Sequence, residues 1–237
     1  MKWAAIIVAA GRGARLGRPK QFLELAGLPM VGWSIRTFAE MPEIAALVIA
    51  TEPESVDDMK ALAGRLVARR AVTVVRGGTT RQGSVRAALA AVPAECDAVL
   101  VHDGARPLVT PVDVRAGMAE VRERRAALLA APTVDTIKIV DALRRVTRTL
   151  ERDTLWSAQT PQFALTAELR DAHARAESER LDVTDDAALL EHAGIEVVVV
   201  PSTSDNFKVT LPEDVPRAEA LLRHPEPVAS RPERTNG

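Results

Sequence analysis

The residues best suited to chemistry lie between Ala4 and Lys20, AAIIVAAGRGARLGRPK, close to the start of the chain. Gly11, Gly13 and Gly17 remove side chains so that backbone N–H groups can approach an anion, while Arg12, Arg15 and Lys20 bring positive charge to the same turn. Two familiar glycine-loop readings fail. A P-loop needs four residues between its glycines and then Lys-Ser/Thr, but Gly11 and Gly17 are separated by five and Arg18 follows. The dinucleotide fingerprint needs a glycine where this chain has Leu16. A glycine turn bearing solvated arginines remains an alternative, but the proline-stiffened Pro19-Lys20-Gln21 favours a cradle for a nucleoside triphosphate.

Elsewhere the inventory is narrow. Asp103, near the end of an apolar run, is either a ligand for Mg²⁺ or a nucleotide, or a cap for the turn before Pro107. His102 beside it reads as a packed or hydrogen-bonded histidine. His173, His192 and His224 lack metal-ligand spacing, and no Ser/His/Asp set is recognisable. Lys208 stands in the polar stretch Ser204 to Thr210. Phosphoryl or nucleotidyl transfer suits such a set, because its transition state asks for positioning and for charge aimed at oxygens, with no nucleophile from the protein.

The elements that must position these groups alternate. Strands are expected at Ala4 to Ala10, Ala46 to Thr51, Val72 to Val75, Ala98 to His102, Leu128 to Pro132 and Glu196 to Val200. Helices are expected at Met30 to Ala39, from about Ser55 to Arg69, at Ser84 to Ala91, Pro111 to Arg125, Ala167 to Ser178, Asp185 to Ala193 with Thr184 as N-cap, and from about Glu213 to Leu222. This alternation predicts an α/β fold: a Rossmann-like, mostly parallel sheet flanked by helices, with right-handed crossovers. The polar turns after Ala10, Val75 and Val101 would all leave the carboxyl edge of the sheet, where ligands bind. Thr136 to Val140 and Val146 to Leu150 alternate as a β-ribbon, either folded on its own sheet or reaching into a second subunit. Trp156 to Phe163 reads as a polar segment between apolar anchors.

Length allows one large α/β domain, taken as residues 1–223 with the ribbon at about 136–154, and 47% hydrophobic content is ample for its core. Residues 224–237, rich in proline and mixed charge, are expected to form a disordered tail. A net charge of −1 argues against nucleic-acid binding. No run reaches the ~20 apolar residues of a membrane span. The N-terminal apolar run enters the arginine-glycine loop directly, so a cleaved signal is rejected. Cys96 is the single cysteine, which excludes an intramolecular disulfide and makes the cytoplasm the default.

Six motifs in order carry a resemblance: Ala9-Ala10-Gly11-x-Gly-x-Arg15-x-Gly-x-Pro19-Lys20-Gln21; His102-Asp103-x-x-Arg106-Pro107; Asp135-Thr136-x-Lys138; Thr160-Pro161-Gln162; Thr184-Asp185; and Asp205-Asn206-x-Lys208-Val209-Thr210. Together they resemble the 2-C-methyl-D-erythritol 4-phosphate cytidylyltransferases of the non-mevalonate isoprenoid pathway, over nearly the whole chain up to the tail. The first motif alone points only to the broader nucleotidyltransferase superfamily. The resemblance implies that CTP, with Mg²⁺, is attacked in line at its α-phosphorus by the substrate phosphate. It implies that Arg15, Lys20 and Lys208 are catalytic. The cytidine would be received by Ala9, Ala10, Gly11, Gly78, Ser84, Asp103 and Gly104, with Asp103 also the candidate metal ligand. Arg106, Thr136, Arg152, Thr160 and Thr184 would address methylerythritol phosphate. The ribbon would be exchanged within a homodimer, so that Arg152 completes the neighbouring site. Two positions depart from the pattern: Gly104 stands where alanine is usual, and Thr79 where an acidic residue is frequent. Rival readings are a cytidylyltransferase for another polyol phosphate such as ribitol 5-phosphate, a nucleotidyltransferase for another acceptor such as a molybdenum cofactor, and a non-catalytic nucleotide-binding regulator.

Overall fold

The computed structural model describes residues 1–11, 20–68 and 70–224. Its centre is β1 (Trp3–Ala9), whose small and branched residues are buried on both faces. Because side chains alternate across a strand, Trp3, Ala5 and Ile7 enter one apolar cluster while Ala4 and Ile6 enter another. A strand apolar on both faces requires helices on both faces, and the chain supplies them.

After the short hairpin of β2 (Glu24–Leu25) and β3 (Leu28–Pro29) come α1 (Met30–Glu40), β4 (Ile44–Thr51), α2 (Val56–Leu66), β5 (Val72–Arg76), α3 (Arg81–Ala90), β6 (Ala98–Asp103), α4 (Pro111–Arg124) and β7 (Ala126–Pro132). The ribbon is β8 (Lys138–Val140) with β9 (Val146–Thr149), and then follow β10 (Trp156–Leu165), α5 (Thr166–Glu179), α6 (Asp186–His192), β11 (Val198–Pro201) and α7 (Asp214–Arg223). Helices α1, α2 and α4 cover one face; α3, α5 and α6 cover the other.

The main sheet has the order β11-β7-β10-β6-β1-β4-β5. Strand β10 runs antiparallel to β6 and β7, and the other pairings are parallel. The chain proceeds outward from β1 to β4 and β5, then returns to place β6 on the opposite side of β1. That reversal makes the carboxyl end of β1 a topological switch point, where the loops after neighbouring strands splay apart and leave a crevice.

Apart from shifts of a residue or two at strand and helix ends, expected and observed elements differ in four places. Helix α2 ends at Leu66, short of the expected Arg69. Helix α3 begins at Arg81 because Thr80 caps it, its hydroxyl accepting from Gly83 N. The cap of α6 is Asp185, which accepts from Ala188 N, and not Thr184, which is one residue too early to reach that N–H and is exposed. The segment read as polar is β10, a strand inside the sheet. Its polar residues and Pro161 argue against a central strand, yet its ladder is interrupted between Ala158 and Gln162, and the polar side chains find partners there. Gln162 Nε2 donates to Asp185 Oδ2 (2.9 Å) and Oε1 accepts from Ala187 N (2.8 Å); Asn206 Nδ2 donates to Gln159 Oε1 (3.0 Å). Among the described residues, no helix is long and apolar enough to cross a membrane.

Candidate active site

A cleft of about 780 Å³ opens at the switch point. It is lined by the end of β1 (Ala9, Ala10, Gly11), by Lys20, by the Gly77–Arg81 turn with Ser84, by Asp103 to Ala105 after β6, and by Lys208 from near the far end of the chain. Its volume is within the range that holds a nucleotide-sized ligand, about 300–1,000 Å³.

The Gly77-Gly78 turn is shaped by close approach. A Cβ on Gly77 would lie 2.5 Å from Ala10 Cβ, and one on Gly78 would lie 2.7 Å from the Gly83 carbonyl carbon. The turn is therefore folded flat against the start of α3, where Ser84 pins it: Gly78 N donates to Ser84 Oγ (3.1 Å), which donates to Thr80 O (2.8 Å). Gly77 N also donates to Thr51 O (2.7 Å), tying this turn to the end of β4. At Gly104 a Cβ would lie 3.1 Å from Val31 Cγ2 and 3.3 Å from Val8 O, so alanine would fit only if those neighbours shifted. Thr79 is exposed on the wall of the cleft.

Charge in the cleft is organised around Asp103. Its Oδ1 accepts from Arg81 Nε (3.0 Å), its Oδ2 from Lys208 Nζ (2.9 Å), and Arg106 Nε stands 3.9 Å away. Burial pushes the Asp103 carboxyl up, but Arg81, Lys208 and Arg106 more than reverse this and hold it well below the usual carboxylate range. Asp103 is thus an anion at any pH where the protein works, and it is an ion-pair hub more than the turn cap of the alternative reading.

Lys208 is delivered by a buckle of hydrogen bonds. Val209 N donates to Ala105 O (2.8 Å), Arg106 Nη1 to Asn206 O (2.7 Å), and Asn206 Nδ2 to Thr160 O (2.9 Å). This gives the Asp205-Asn206-x-Lys208 motif its physical sense: buried Asn206 fastens the loop to β10 so that Lys208, two residues on, reaches the cleft. Lys20, which lines the same cleft, begins a short 3-10 turn (Lys20–Phe22), and a Cβ on Gly11 would stand 3.8 Å from its Cε.

The structure therefore brings together Lys20, Lys208, Ala9, Ala10, Gly11, Gly78, Ser84, Asp103 and Gly104. Arg15 lies outside the described residues. The expected acceptor-binding residues are dispersed. Arg106 holds backbone carbonyls, and burial pulls its guanidinium below the usual arginine range. The Thr160 hydroxyl is buried, accepting from Asp103 N (3.0 Å) and lying 3.2 Å from His102 Nδ1. Thr136 and Arg152 are exposed on the ribbon and its base, with Arg152 Nη1 donating to Val134 O (3.2 Å). Thr184 is exposed ahead of α6.

His102 is the packed histidine expected: fully buried, edge-on to Phe38, its Nε2 facing Ser34 Oγ (3.2 Å) and Arg106 O (3.0 Å). Burial drives it down to about pH 4 and keeps it neutral. Sequence reasoning missed Arg81. The signal was a cation closing a glycine turn at a helix start, in Arg76-Gly77-Gly78-Thr79-Thr80-Arg81, but its two acidic partners are distant in sequence. Glu52 and Glu54, which rim the cleft beyond β4, were also missed, and nothing in their local sequence marks them.

Among the described residues, the cleft wall carries neither cysteine nor histidine. A glycine-lined cleft at a switch point, with lysines from both ends of the chain and a buried carboxylate, defines an enzyme of the nucleotidyltransferase class, built to bind and polarise a nucleotide and not to attack it. The family model described as 2-C-methyl-D-erythritol 4-phosphate cytidylyltransferase matches residues 3–224. Relatives of that description include one from Halalkalibacterium halodurans, 40% identical over 228 residues, 95% of this chain and 99% of the relative. Another, from Gloeobacter violaceus, is 41% identical over 221 residues, 92% of this chain and 95% of the relative. The solved structure of 4-diphosphocytidyl-2C-methyl-D-erythritol synthase from Anaerococcus prevotii superposes with a TM-score of 0.84 at 28% identity, covering 94% of this chain and 96% of that one. The cytidylyltransferase from Thermus thermophilus superposes with a TM-score of 0.78 at 32% identity, covering 94% and 100%. This chain belongs to the 2-C-methyl-D-erythritol 4-phosphate cytidylyltransferase family.

Proposed function

We infer that this chain transfers the cytidylyl group of CTP to 2-C-methyl-D-erythritol 4-phosphate, giving CDP-methylerythritol and pyrophosphate. The observation that carries the assignment of the site is the meeting of Lys20 and Lys208 in one glycine-walled cleft. A phosphate oxygen of the acceptor attacks the α-phosphorus of CTP; a new P–O bond forms as the bond to the β-phosphate oxygen breaks, and pyrophosphate leaves. Negative charge on the transferring group and the leaving pyrophosphate increases demand for nearby cations, which Lys20 and Lys208 supply. Arg15 is assigned to the same task by resemblance.

The described residues contain no cluster of three or more His, Cys, Asp or Glu that could hold a metal ion. Mg²⁺ commonly binds through one or two carboxylates plus substrate phosphates, and Asp103 offers one such carboxylate. Each of its oxygens accepts one hydrogen bond, from Arg81 and from Lys208, and keeps a further lone pair with which it could meet the ion. Bound with CTP, the ion would neutralise phosphate charge.

A homodimer through the ribbon is supported by its surface. Ile137, Ile139, Val140, Leu143 and Val146 are exposed together with Trp156, a larger apolar display than a lone two-stranded ribbon sustains in water. Arg152, at the base of the ribbon, would then reach the acceptor in the partner's cleft. The single cysteine and soluble small-molecule substrates favour the cytoplasm.

A pyrophosphate-release assay crossing the nucleoside triphosphates with methylerythritol phosphate and ribitol 5-phosphate tests the reading. Release confined to CTP with methylerythritol phosphate is expected. Release with ribitol 5-phosphate at equal or higher kcat/KM would transfer the chain to the rival acceptor.

A further inference from the structure

Arg81 has a geometry that the cytidylyl-transfer scheme leaves unexplained. It is the first residue of α3 and lines the cleft, yet its guanidinium spans two carboxylates from different elements. Nε donates to Asp103 Oδ1 at the end of β6 (3.0 Å), and Nη1 donates to Asp186 Oδ2 at the start of α6 (2.8 Å). Burial opposes its charge, but Asp186 and Asp103 outweigh that and hold it protonated above the usual arginine range. Asp186 is itself buried and held below the usual carboxylate range, with Arg81 and His173 offsetting burial.

The two cations on Asp103 are not equivalent. The Arg81 side chain is 23% exposed and has a second anchor, whereas Lys208 is 41% exposed and its ammonium has Asp103 as its ion-pair partner among the described residues. A buried carboxylate deprived of its partners is costly, so it retains whichever cation remains. With Arg81 in place, Asp103 stays neutralised when Lys208 turns to a phosphate. Without Arg81, Lys208 is the main counterion left, and Asp103 competes with the reacting phosphate for it.

We propose that Arg81 is a positioning residue for cytidylyl transfer: by clamping Asp103 to Asp186 it holds the carboxylate fixed and neutralised, and thereby frees Lys208 for the reacting phosphates. This rests on the assignment of Asp103 and Lys208 to the transfer site. The planar guanidinium suits the task because its N–H groups diverge to two acceptors at once, whereas a lysine ammonium is a point charge on a flexible stem.

Steady-state kinetics with CTP and methylerythritol phosphate, run on Arg81→Gln, Arg81→Lys and Asp186→Asn and normalised to the folded fraction, tests this. Arg81→Gln should lower kcat on the order of 100-fold with the KM for CTP little changed, since losing the placement of one reacting group costs about that much. Arg81→Lys restores charge beside Asp103 without the bridge and should recover part of the loss. If Arg81→Gln does not fold, Asp186→Asn, which keeps Arg81 and Asp103, decides by the same fall in kcat at constant KM. Wild-type kcat per folded molecule, or a rise in KM alone, would overturn the proposal. Wild-type turnover in Lys208→Ala would instead overturn the site assignment beneath it, so the two failures are distinguishable.

Discussion

Lys208 Nζ lies 2.9 Å from Asp103 Oδ2, although 105 residues separate them. The pair lines the cleft that Lys20 also lines. If both lysines serve the transition state, Lys20→Ala and Lys208→Ala should each lower kcat by on the order of 100-fold, about 3 kcal/mol, the usual cost of one electrostatic donor. Rapid-quench or pyrophosphate-release kinetics measures this. A change confined to KM would show uniform binding of the triphosphate instead.

Ser84 should act differently, because it shapes a turn and carries no charge. Ser84→Ala removes the acceptor for Gly78 N and the donor to Thr80 O, leaving the Gly77-Gly78 turn unpinned. The expected loss is about 1 kcal/mol, roughly fivefold in affinity for CTP, with kcat nearly unchanged. Calorimetric titration with CTP reads it directly, and an unaltered affinity would count against the turn as the nucleoside wall.

His102 gives stability a pH dependence of defined sign. Its folded value, lowered by burial from 6.5 to about 4, means that between those limits the unfolded chain binds more protons than the folded one. Stability is therefore full above pH 6.5 and falls as pH drops towards 4, by about 3 kcal/mol in all. Urea midpoints taken across this window should rise with pH, and His102→Gln should flatten the slope. Carboxylates held low, such as Asp186, add to the slope only in the lower part of that window, because an unfolded carboxylate with a value near 3.8 begins to bind protons below about pH 5.

The ribbon can be tested by complementation. Arg152→Ala should raise the KM for methylerythritol phosphate, and Lys20→Ala should lower kcat. If Arg152 completes the partner's site, a verified heterodimer of the two variants contains one intact composite site and regains turnover that neither homodimer shows. No recovery in such heterodimers would argue for a ribbon that serves its own chain.

How much of this was legible beforehand varies with range of interaction. The cradle strand, the β-ribbon and most helices are local, set by apolar runs, turn residues and caps, and they stand within a few residues of expectation. Strand β10 was not legible: Pro161 argues against a central strand, and buried Gln159 and Gln162 are poor strand signals until Asn206, Asp185 and the Ala187 N–H supply the partners that make their burial tolerable. Thr184 was similarly misjudged as a cap, since adjacent Asp185 offers an equally good acceptor and only the backbone path chooses between them.

By itself, then, the sequence determined a mostly parallel sheet flanked by helices, a stretch rich in glycine and arginine after its first strand, and the lysines and aspartate suited to phosphate chemistry, because these depend on composition and spacing along the chain. Tertiary structure alone decided that Lys20 and Lys208 face one cleft, that Asp103 is shared between Lys208 and Arg81, and that Arg81 is tied onward to Asp186. Such pairings join residues 22 to 105 positions apart, and side-chain type cannot show which charges meet until sheet order and helix packing have set the distances between them.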